Sequence, residues 1–219
     1  MSDTDSFINE VSEEVRRDAL FGYVRKYGWI AVTLVLVLVG GAAYNEYSKA
    51  QQQNAAQSVG DAMLAAMGEN DTAARAAALG AIEVDGSAAA VTALLTAATQ
   101  QEADQIAQAS ATLNALATNS EVPEIYRDLA AFKAAMLPSD DVAARQSALE
   151  TLSQPGAPFR LLALEQIGLM QVAEGDEGAA IATMTTIAQD AGATRGLRER
   201  AQTLIVALGG TIEAPATTE

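Results

Sequence analysis

Two groups of carboxylates are the residues of this chain whose spacing could do chemistry. Asp140 and Asp141 are adjacent, and the segment 174–177 carries three acids in four positions. Carboxylate oxygens at such spacing are ligands that Ca²⁺ or Mg²⁺ accepts. Both groups, however, precede segments predicted to be helical, where acids are favoured by the positive end of the helix dipole. A calcium loop starting at Asp176 would need an acid where Ile187 stands. We therefore expect two helix starts and no metal site.

The composition removes most other enzyme chemistry. The chain has no His and no Cys, which excludes imidazole bases, His-dependent nucleophiles, thiolate catalysis and thiolate zinc sites. It contains neither a Gly-x-Gly-x-x-Gly fingerprint nor a phosphate loop ending in Gly-Lys-Ser/Thr, so no nucleotide cofactor is expected. A net charge of -15, from 13 basic and 28 acidic side chains, argues against nucleic acid as a partner. An enzyme would have to use carboxylate, Lys or Tyr chemistry, and we expect a protein that is not an enzyme.

One segment near the N-terminus is predicted to be a transmembrane helix. Residues 27–45 carry no charge, and at about 1.5 Å per residue they cover roughly the 30 Å of a bilayer's hydrocarbon core. Aromatic side chains favour the headgroup level, and they flank this segment on both sides. We predict one span over residues 27–47, with five side chains at the membrane interfaces: Tyr23, Tyr27, Trp29, Tyr44 and Tyr47.

The basic residues around the span predict its orientation. Four of them lie in the 26 residues before it, and only Lys49 follows it closely. The N-terminus is therefore expected in the cytoplasm and the rest of the chain in a bacterial periplasm, where the lack of Cys also avoids oxidation. The competing interpretation is a signal peptide cleaved near the small residues Gly41-Ala42-Ala43. Six acids in the leader are unlike the short basic start of such a peptide, which favours a retained anchor in the inner membrane.

The cytoplasmic leader, residues 1–26, has a pattern of its own. Phe7, Ile8, Val11 and Val15 recur at helical spacing with polar residues between them. This pattern predicts a short amphipathic helix that docks on a partner's cytoplasmic loops or lies against the headgroups. The alternative is a leader that serves only membrane insertion.

Beyond the span the chain is predicted to be all-α. It is rich in Ala, Leu, Gln and Glu and has no alternating strand pattern longer than a few residues. Clusters of Gly, Pro, Asn and Asp divide it into segments of about 10 to 17 residues. Asp85 or Ser87, Asp140 and Asp176 stand where helix N-caps are expected, and Gly175 suits a helix C-terminus. A last helix is predicted over 195–208, followed by a disordered polar tail, 209–219.

Self-similarity arranges these helices in pairs. A large apolar residue, then Arg, then Ala at the fifth place recur at 126–130, 159–163 and 197–201, which are 33 and 38 residues apart. In the helices between them, apolar pairs register at 113 and 116, 149 and 152, and 184 and 187. Helix pairs of about 35 residues that bury their apolar faces by stacking predict a tetratricopeptide-like solenoid. Two and a half repeats are legible, and the Ala-rich segment 53–86 sets no register.

Partner contacts are expected on the concave face of such a solenoid, which receives an extended or helical segment. The candidates are polar side chains on the first helix of each pair: Arg127, Lys133, Arg160, Glu165 and Gln166. A basic cluster in the last helix is expected to pair with the chain's own acids, with an acidic partner as the alternative: Arg195, Arg198 and Arg200.

The layout as a whole resembles a known family. A charged leader, a span entered through Val24-Arg25-Lys26-Tyr27-Gly28 and a divergent Ala-rich repeat domain are similar to the ancillary SecYEG translocon subunit family, the YfgM-like periplasmic anchors. The resemblance implies a role beside the protein-translocation channel, with SecYEG-type subunits and periplasmic chaperones as partners. The Trp and Gly-x-x-Tyr positions of the tetratricopeptide consensus are absent. The alternative is a structural or assembly subunit of another inner-membrane complex, respiratory or cell-division. The predicted domains are the leader 1–26, the span 27–47, the periplasmic domain 48–208 and the tail 209–219.

Overall fold

The computed structural model describes residues 3–139 and 141–211, and for residues 3–24 and 31 it describes only the backbone. Nine helices and no strand occur in this part of the chain, which confirms the predicted all-α class. The helices are α1 (Asp3–Met67), α2 (Thr72–Gly80), α3 (Gly86–Glu102), α4 (Ile106–Thr118), α5 (Glu124–Ala135), α6 (Val142–Leu152), α7 (Arg160–Ala173), α8 (Glu177–Gln189) and α9 (Arg195–Ala207).

The described residues fall into two compact units that divide between Ser58 and Val59, inside α1. The helix passes the boundaries predicted at 26/27 and 47/48 without a break. The division into leader, span and domain therefore stays a prediction. The side chains that define the predicted amphipathic face of the leader lie outside the described ones.

The apolar part of α1 is exposed within the first unit. A window of this helix reaches a mean hydropathy of 1.8 with none of its residues buried. Trp29, Leu36 and Val37 are each 67% exposed. Water solvates such a surface poorly, at about 25 cal/mol per Å² of apolar area, whereas bilayer hydrocarbon would cover it. Among the described residues, α1 is the one helix long and apolar enough to cross a membrane.

The second unit is a series of helices in which each packs against its neighbours in sequence. The apolar pairs that were placed in register from sequence are all buried, with exposures of 0 to 5%: Leu113 and Leu116 in α4, Leu149 and Leu152 in α6, Met184 and Ile187 in α8. The registering alanines of the partner helices, Ala130, Ala163 and Ala201, are 0 to 1% exposed. This burial confirms the predicted pairing of helices.

The same contacts recur in α3–α5 and in α7–α9. Thr112 Oγ1 in α4 donates to Gln100 Oε1 in α3 at 2.9 Å, and 71 positions later Thr183 in α8 donates to Gln171 in α7 at 2.8 Å. The chain thus holds two copies of a three-helix arrangement, with α6 between them. The second copy ends with the helix predicted over 195–208, which is found as α9.

Each copy leaves its first helix through the same turn. Asp104 after α3 and Gly175 after α7 have φ of 58° and 80°. The residue that follows each of them donates its N–H to the carbonyl of Gln100 at 2.8 Å and of Gln171 at 2.9 Å. This left-handed C-terminal turn suits Gly, and Asp is among the few side chains that tolerate it. The prediction that Gly175 ends a helix is confirmed.

Side-chain caps define several helix starts. Asp176 Oδ1 accepts the Ala179 N–H at 2.9 Å, which confirms the N-cap predicted for α8. At α6 the N-cap is Asp141, which accepts the N–H of Ala144 at 2.9 Å, whereas the predicted cap Asp140 lies outside the described residues. Asp85 is the N-cap residue of α3 but makes no side-chain hydrogen bond there.

The chain turns back after α9. Gly209 has a φ of 80°, and the Gly210 N–H donates to the carbonyl of Ile205 at 2.9 Å. A Cβ on Gly210 would lie 2.8 Å from Ile205 Cγ2, so the backbone packs directly on α9. Residues 212–219, where most of the predicted tail falls, lie outside the described residues.

Candidate partner-binding surface

The odd-numbered helices of the second unit carry matching residues at matching positions. The spacings of 38, 33 and 38 residues that align Arg127, Arg160 and Arg198 extend back to Ala89 in α3. On this register three rows, one helical turn apart, cross α3, α5, α7 and α9. The rows are Val91, Leu129, Leu162 and Arg200; Leu95, Lys133, Gln166 and Leu204; and Ala98, Met136, Leu169 and Ala207. We call these twelve residues the odd-helix face.

The burial of one position confirms this register in all four helices. It is occupied by Thr92, Ala130, Ala163 and Ala201, which are 5%, 0%, 0% and 1% exposed. Thr92 Oγ1 donates to the carbonyl of Ala88 at 2.9 Å, so its hydroxyl is satisfied within α3. The alignment of the odd helices is therefore structural as well as sequential.

Successive odd helices also meet directly. The ring of Phe132 in α5 stacks on Phe159 at the start of α7, with centroids 5.9 Å apart and planes 9° from parallel. Arg200 in α9 donates through Nε and Nη2 to the two carboxylate oxygens of Glu165 in α7, at 2.6 and 2.9 Å. Helix α3 contacts α5 in the same way. The three rows consequently run over neighbouring helices and form one surface.

The odd-helix face exposes large apolar side chains. Val91 is 48% exposed, Met136 53%, Leu162 36% and Leu169 45%. An apolar side chain left in water at the same place in successive repeats is typical of a surface that another molecule covers. The arrangement can bind a segment with apolar side chains of its own.

A comparison with protein families gives the fold a name. The family model described as tetratricopeptide repeat-like domain matches residues 22–208. The chain belongs to this family. Searches of curated proteins and of solved structures found no match. Stacked helical repeats of the tetratricopeptide repeat-like kind present extended surfaces for protein–protein interaction, so the family supports a scaffold that binds proteins.

Two of the predicted contact residues in the tetratricopeptide repeat-like domain lie on α5 and point differently. Lys133 is half-buried in the middle row of the odd-helix face and forms no hydrogen bond or ion pair with a described residue. Arg127 is also half-buried, but its Nε is fully buried and lacks a hydrogen-bond partner among the described residues. The structure thus leaves the Lys133 ammonium available to a partner. A partner contact by either residue stays a prediction.

Arg160, the third predicted contact residue, belongs to a polar cluster around Asp190. It forms an ion pair with the Asp190 carboxylate, which also accepts the N–H of Gly192 at 2.7 Å. Arg198 donates to three backbone carbonyls of the segment 188–193, each at 3.1 Å. The hydrogen bond from Arg160, together with that from Gly192, holds the pKa of Asp190 below its ordinary value of 3.8. These contacts fix the turn between α8 and α9.

Glu165 and Gln166 adjoin each other on α7. The Glu165 side chain is only 13% exposed and is bound by Arg200, whose pKa its hydrogen bond and charge raise. Gln166 is half-buried in the middle row, at the position equivalent to Lys133. Arg195 pairs with Glu199 at 2.7 Å. The prediction that the last helix pairs its arginines within the chain is therefore confirmed, and a partner contact by Glu165 or Gln166 stays a prediction.

The aromatic residues predicted at the membrane interfaces lie on α1. Four have described side chains, and all are exposed: Tyr27 48%, Trp29 67%, Tyr44 76% and Tyr47 65%. Lys26 Nζ lies 5.5 Å from the Tyr27 ring centroid, and Gln51 Nε2 donates to Tyr47 Oη at 2.9 Å. The side chain of Tyr23 is outside the described ones. Placement at the headgroups stays a prediction.

A cleft of about 540 Å³ lies between α4, α5 and α6. Most of its lining is Ala, and its described charged residues are Asp141 and Arg145. Asp141 caps α6, and Arg145 donates through Nη2 to the Leu137 carbonyl at 2.8 Å. The described residues hold no group of three or more acids that could bind a metal ion. We find in this cleft no acid–base pair for catalysis.

The apolar members of the odd-helix face are the functional candidates that sequence reasoning missed. It selected polar side chains on the first helix of each pair, and it found no register for the Ala-rich first repeat. The signal was present, because the 38-residue step from α7 to α9 also relates α3 to α5. Applied one repeat earlier, that step would have placed Val91 beside Leu129 and Leu162.

Proposed function

We propose that the protein is a membrane-anchored scaffold that binds other proteins through the odd-helix face. The observation that carries this proposal is the row of apolar side chains left exposed on successive repeats of an interaction domain, Val91, Met136, Leu162 and Leu169. In a domain that otherwise buries its apolar residues in order, such a row has a physical reason only if a partner covers it. The scaffold holds that partner and carries out no reaction itself.

Anchoring in the bacterial inner membrane, with the repeat domain in the periplasm, is the second part of the proposal. It is supported by the uncharged, exposed stretch of α1 and by the excess of basic residues before it. A span confines the scaffold to two dimensions near a membrane complex. Confinement raises the effective concentration of the scaffold there, so weak contacts at the odd-helix face suffice.

The partner we propose is the Sec translocon, with periplasmic chaperones and exported proteins nearby. Support comes from the layout of leader, span and divergent repeat domain, which resembles ancillary SecYEG subunits. Site-specific photo-cross-linking in native membranes tests this part. A photoreactive residue at Leu162 or Met136 probes the odd-helix face, and one at the exposed Gln108 on α4 is the matched control.

The expected result is cross-linking of SecY-type subunits or chaperones from positions 162 and 136 and not from 108. Stable recovery of a single respiratory or cell-division complex without channel subunits would overturn the Sec role. It would establish the alternative function as a structural or assembly subunit. Equal cross-linking from all three positions would overturn the odd-helix face as the binding surface.

The absence of Cys makes the topology directly measurable. Single Cys variants Ser12→Cys and Ser120→Cys, both at surface positions outside the odd-helix face, can be treated with a membrane-impermeant maleimide. With only the outer membrane opened, we expect labelling at position 120 and none at position 12. Labelling at position 12 under these conditions, or a mature protein that lacks position 12, contradicts the retained anchor.

A further inference from the structure

Almost every cation of the repeat domain is engaged within the chain. Among the described residues from 59 onward, six arginines have hydrogen-bond or ion-pair partners, and Arg127 has its Nε enclosed by protein. The engaged residues and their partners are Arg75 with the Glu69 carbonyl, Arg145 with the Leu137 carbonyl, Arg160 with Asp190, Arg195 with Glu199, Arg198 with the carbonyls near Asp190, and Arg200 with Glu165. Lys133 alone combines an unpaired charge with a place on the odd-helix face.

Lys133 is also out of character with its row. Its counterparts on the other odd helices are Leu95, Gln166 and Leu204, none of them charged. On α5 itself it lies between Leu129 and Met136, one turn away on either side. A half-buried lysine in an apolar band packs its aliphatic stem on the band and keeps its ammonium near the surface. A partner segment that covers the band will remove water from that ammonium.

The energetics of covering this ammonium select the partner. A purely apolar segment would leave a desolvated, unpaired charge, which is unfavourable. A carboxylate would pair with the ammonium in surroundings of lowered dielectric, where the attraction is stronger than in water. The chain carries a net charge of -15 and repels acidic proteins at long range, so a strongly acidic partner is disfavoured. One local carboxylate within an otherwise uncharged segment satisfies both conditions.

We infer that the odd-helix face takes an apolar partner segment that places a single Asp or Glu opposite Lys133. This inference rests on the proposed function, since it specifies the segment that the proposed surface receives. The apolar side chains of the segment cover Val91, Leu162, Leu169 and Met136, and its carboxylate accepts a hydrogen bond from Lys133 Nζ. The charge pair then sets which segments bind and in which register.

Charge-swap binding measurements test this inference. The probes are fluorescent peptides of Leu, Val, Ala and Gln that differ only in a central Asp, Asn or Lys, and binding to the full chain in detergent micelles is followed by fluorescence anisotropy. The protein variants are Lys133→Gln, Lys133→Glu and, as the matched control, Arg195→Gln. The control also removes one positive charge, but from an exposed residue of α9 that is not on the face. Unchanged circular dichroism and melting temperature verify that each variant is folded.

We expect the wild-type protein and the Arg195→Gln variant to bind the Asp peptide about fivefold more tightly than the Asn peptide, and the Lys peptide most weakly. Lys133→Gln should bind the Asp and Asn peptides equally. Lys133→Glu should reverse the order and prefer the Lys peptide. Such a reversal is the signature of a direct charge pair, which a merely structural role of Lys133 would not produce.

Two other results separate this inference from the proposed function. If the wild type binds all three peptides equally and Leu162→Arg weakens all of them, the odd-helix face binds protein segments but the carboxylate preference is refuted. If none of the peptides binds, or Leu162→Arg changes nothing, the odd-helix face is not the binding surface and both proposals fail.

Discussion

Gly168 in α7 packs against Met184 in α8, and its replacement by Ala tests how closely the two helices approach. An ideal Cβ at position 168 would overlap Met184 Cε and lie 3.6 Å from Met184 Cγ and Sδ. Met184 is 1% exposed, so its side chain has to move within a packed interior. The chain provides its own reference, because 71 positions earlier the same two places hold Ala97 and Leu113, both 0% exposed.

Two opposing effects determine the stability of Gly168→Ala. Ala is favoured over Gly in a helix interior by about 1 kcal/mol. Overpacking of a closed core costs about 1–3 kcal/mol. We expect the single variant to be between neutral and about 2 kcal/mol less stable than the wild type. Met184→Leu alone, a swap of similar volume, should cost less than about 1.5 kcal/mol.

The double variant Gly168→Ala with Met184→Leu reproduces the pair found in α3 and α4. It should be at least as stable as either single variant, with a favourable coupling of about 1–3 kcal/mol between the two sites. The assay is urea unfolding of the full chain in micelles, followed by far-ultraviolet circular dichroism. The control is Gly60→Ala in α1, where a Cβ meets nothing within 4 Å and only helix propensity acts.

One outcome refutes this reasoning. If Gly168→Ala stabilises the protein as much as Gly60→Ala does, and the effect of Met184→Leu simply adds to it, the two helices are not in close contact at Gly168. The compensation between the two copies of the repeat would then be a coincidence of sequence.

Three further predictions concern the turns and caps of the repeat domain. Asp104→Gly should raise the free energy of unfolding by about 0.5 kcal/mol, because relief of the left-handed penalty, about 1–2 kcal/mol, outweighs the larger chain entropy of Gly, about 0.4–1 kcal/mol; a loss in urea unfolding contradicts it. Asp176→Ala should lower that free energy by about 1 kcal/mol through loss of the bond to the Ala179 N–H, and Asp176→Asn should restore most of it. Asp190→Asn should lower the melting temperature at neutral pH. The lowered pKa of Asp190 makes its charge stabilising above its ordinary pKa of 3.8, so this difference should persist above about pH 5 and shrink as the pH falls through 3.8 and below; a difference independent of pH contradicts the ionic origin.

Much of the fold could be predicted from local pattern. The registering apolar pairs, such as Leu113 with Leu116 and Met184 with Ile187, are buried as predicted, because helical spacing puts residues three apart on one face. Asp176 and Gly175 could be assigned to helix ends because capping depends on a few adjacent residues. The first repeat could not be registered, because Ala fits both the interior and the surface of a helix.

The candidate site was less accessible to sequence reasoning. Arg160 and Glu165 were selected as exposed charges, yet each has a partner 30 or 35 residues away in the chain, Asp190 and Arg200. Such pairs form only when distant helices are brought together, so one sequence does not reveal which charges remain free. The same applies to Lys133, whose lack of a partner is visible only in the folded unit.

The sequence by itself determined the helical class, the uncharged stretch of α1, the positions of most helix ends and the exclusion of His and Cys chemistry. These properties depend on composition and on contacts within a few turns of helix. Only the tertiary structure decided which apolar residues stay exposed, which arginines are neutralised and that Lys133 keeps its charge free on the odd-helix face. Burial and pairing depend on neighbours far away in the chain, and those neighbours are chosen by the packing of the helices.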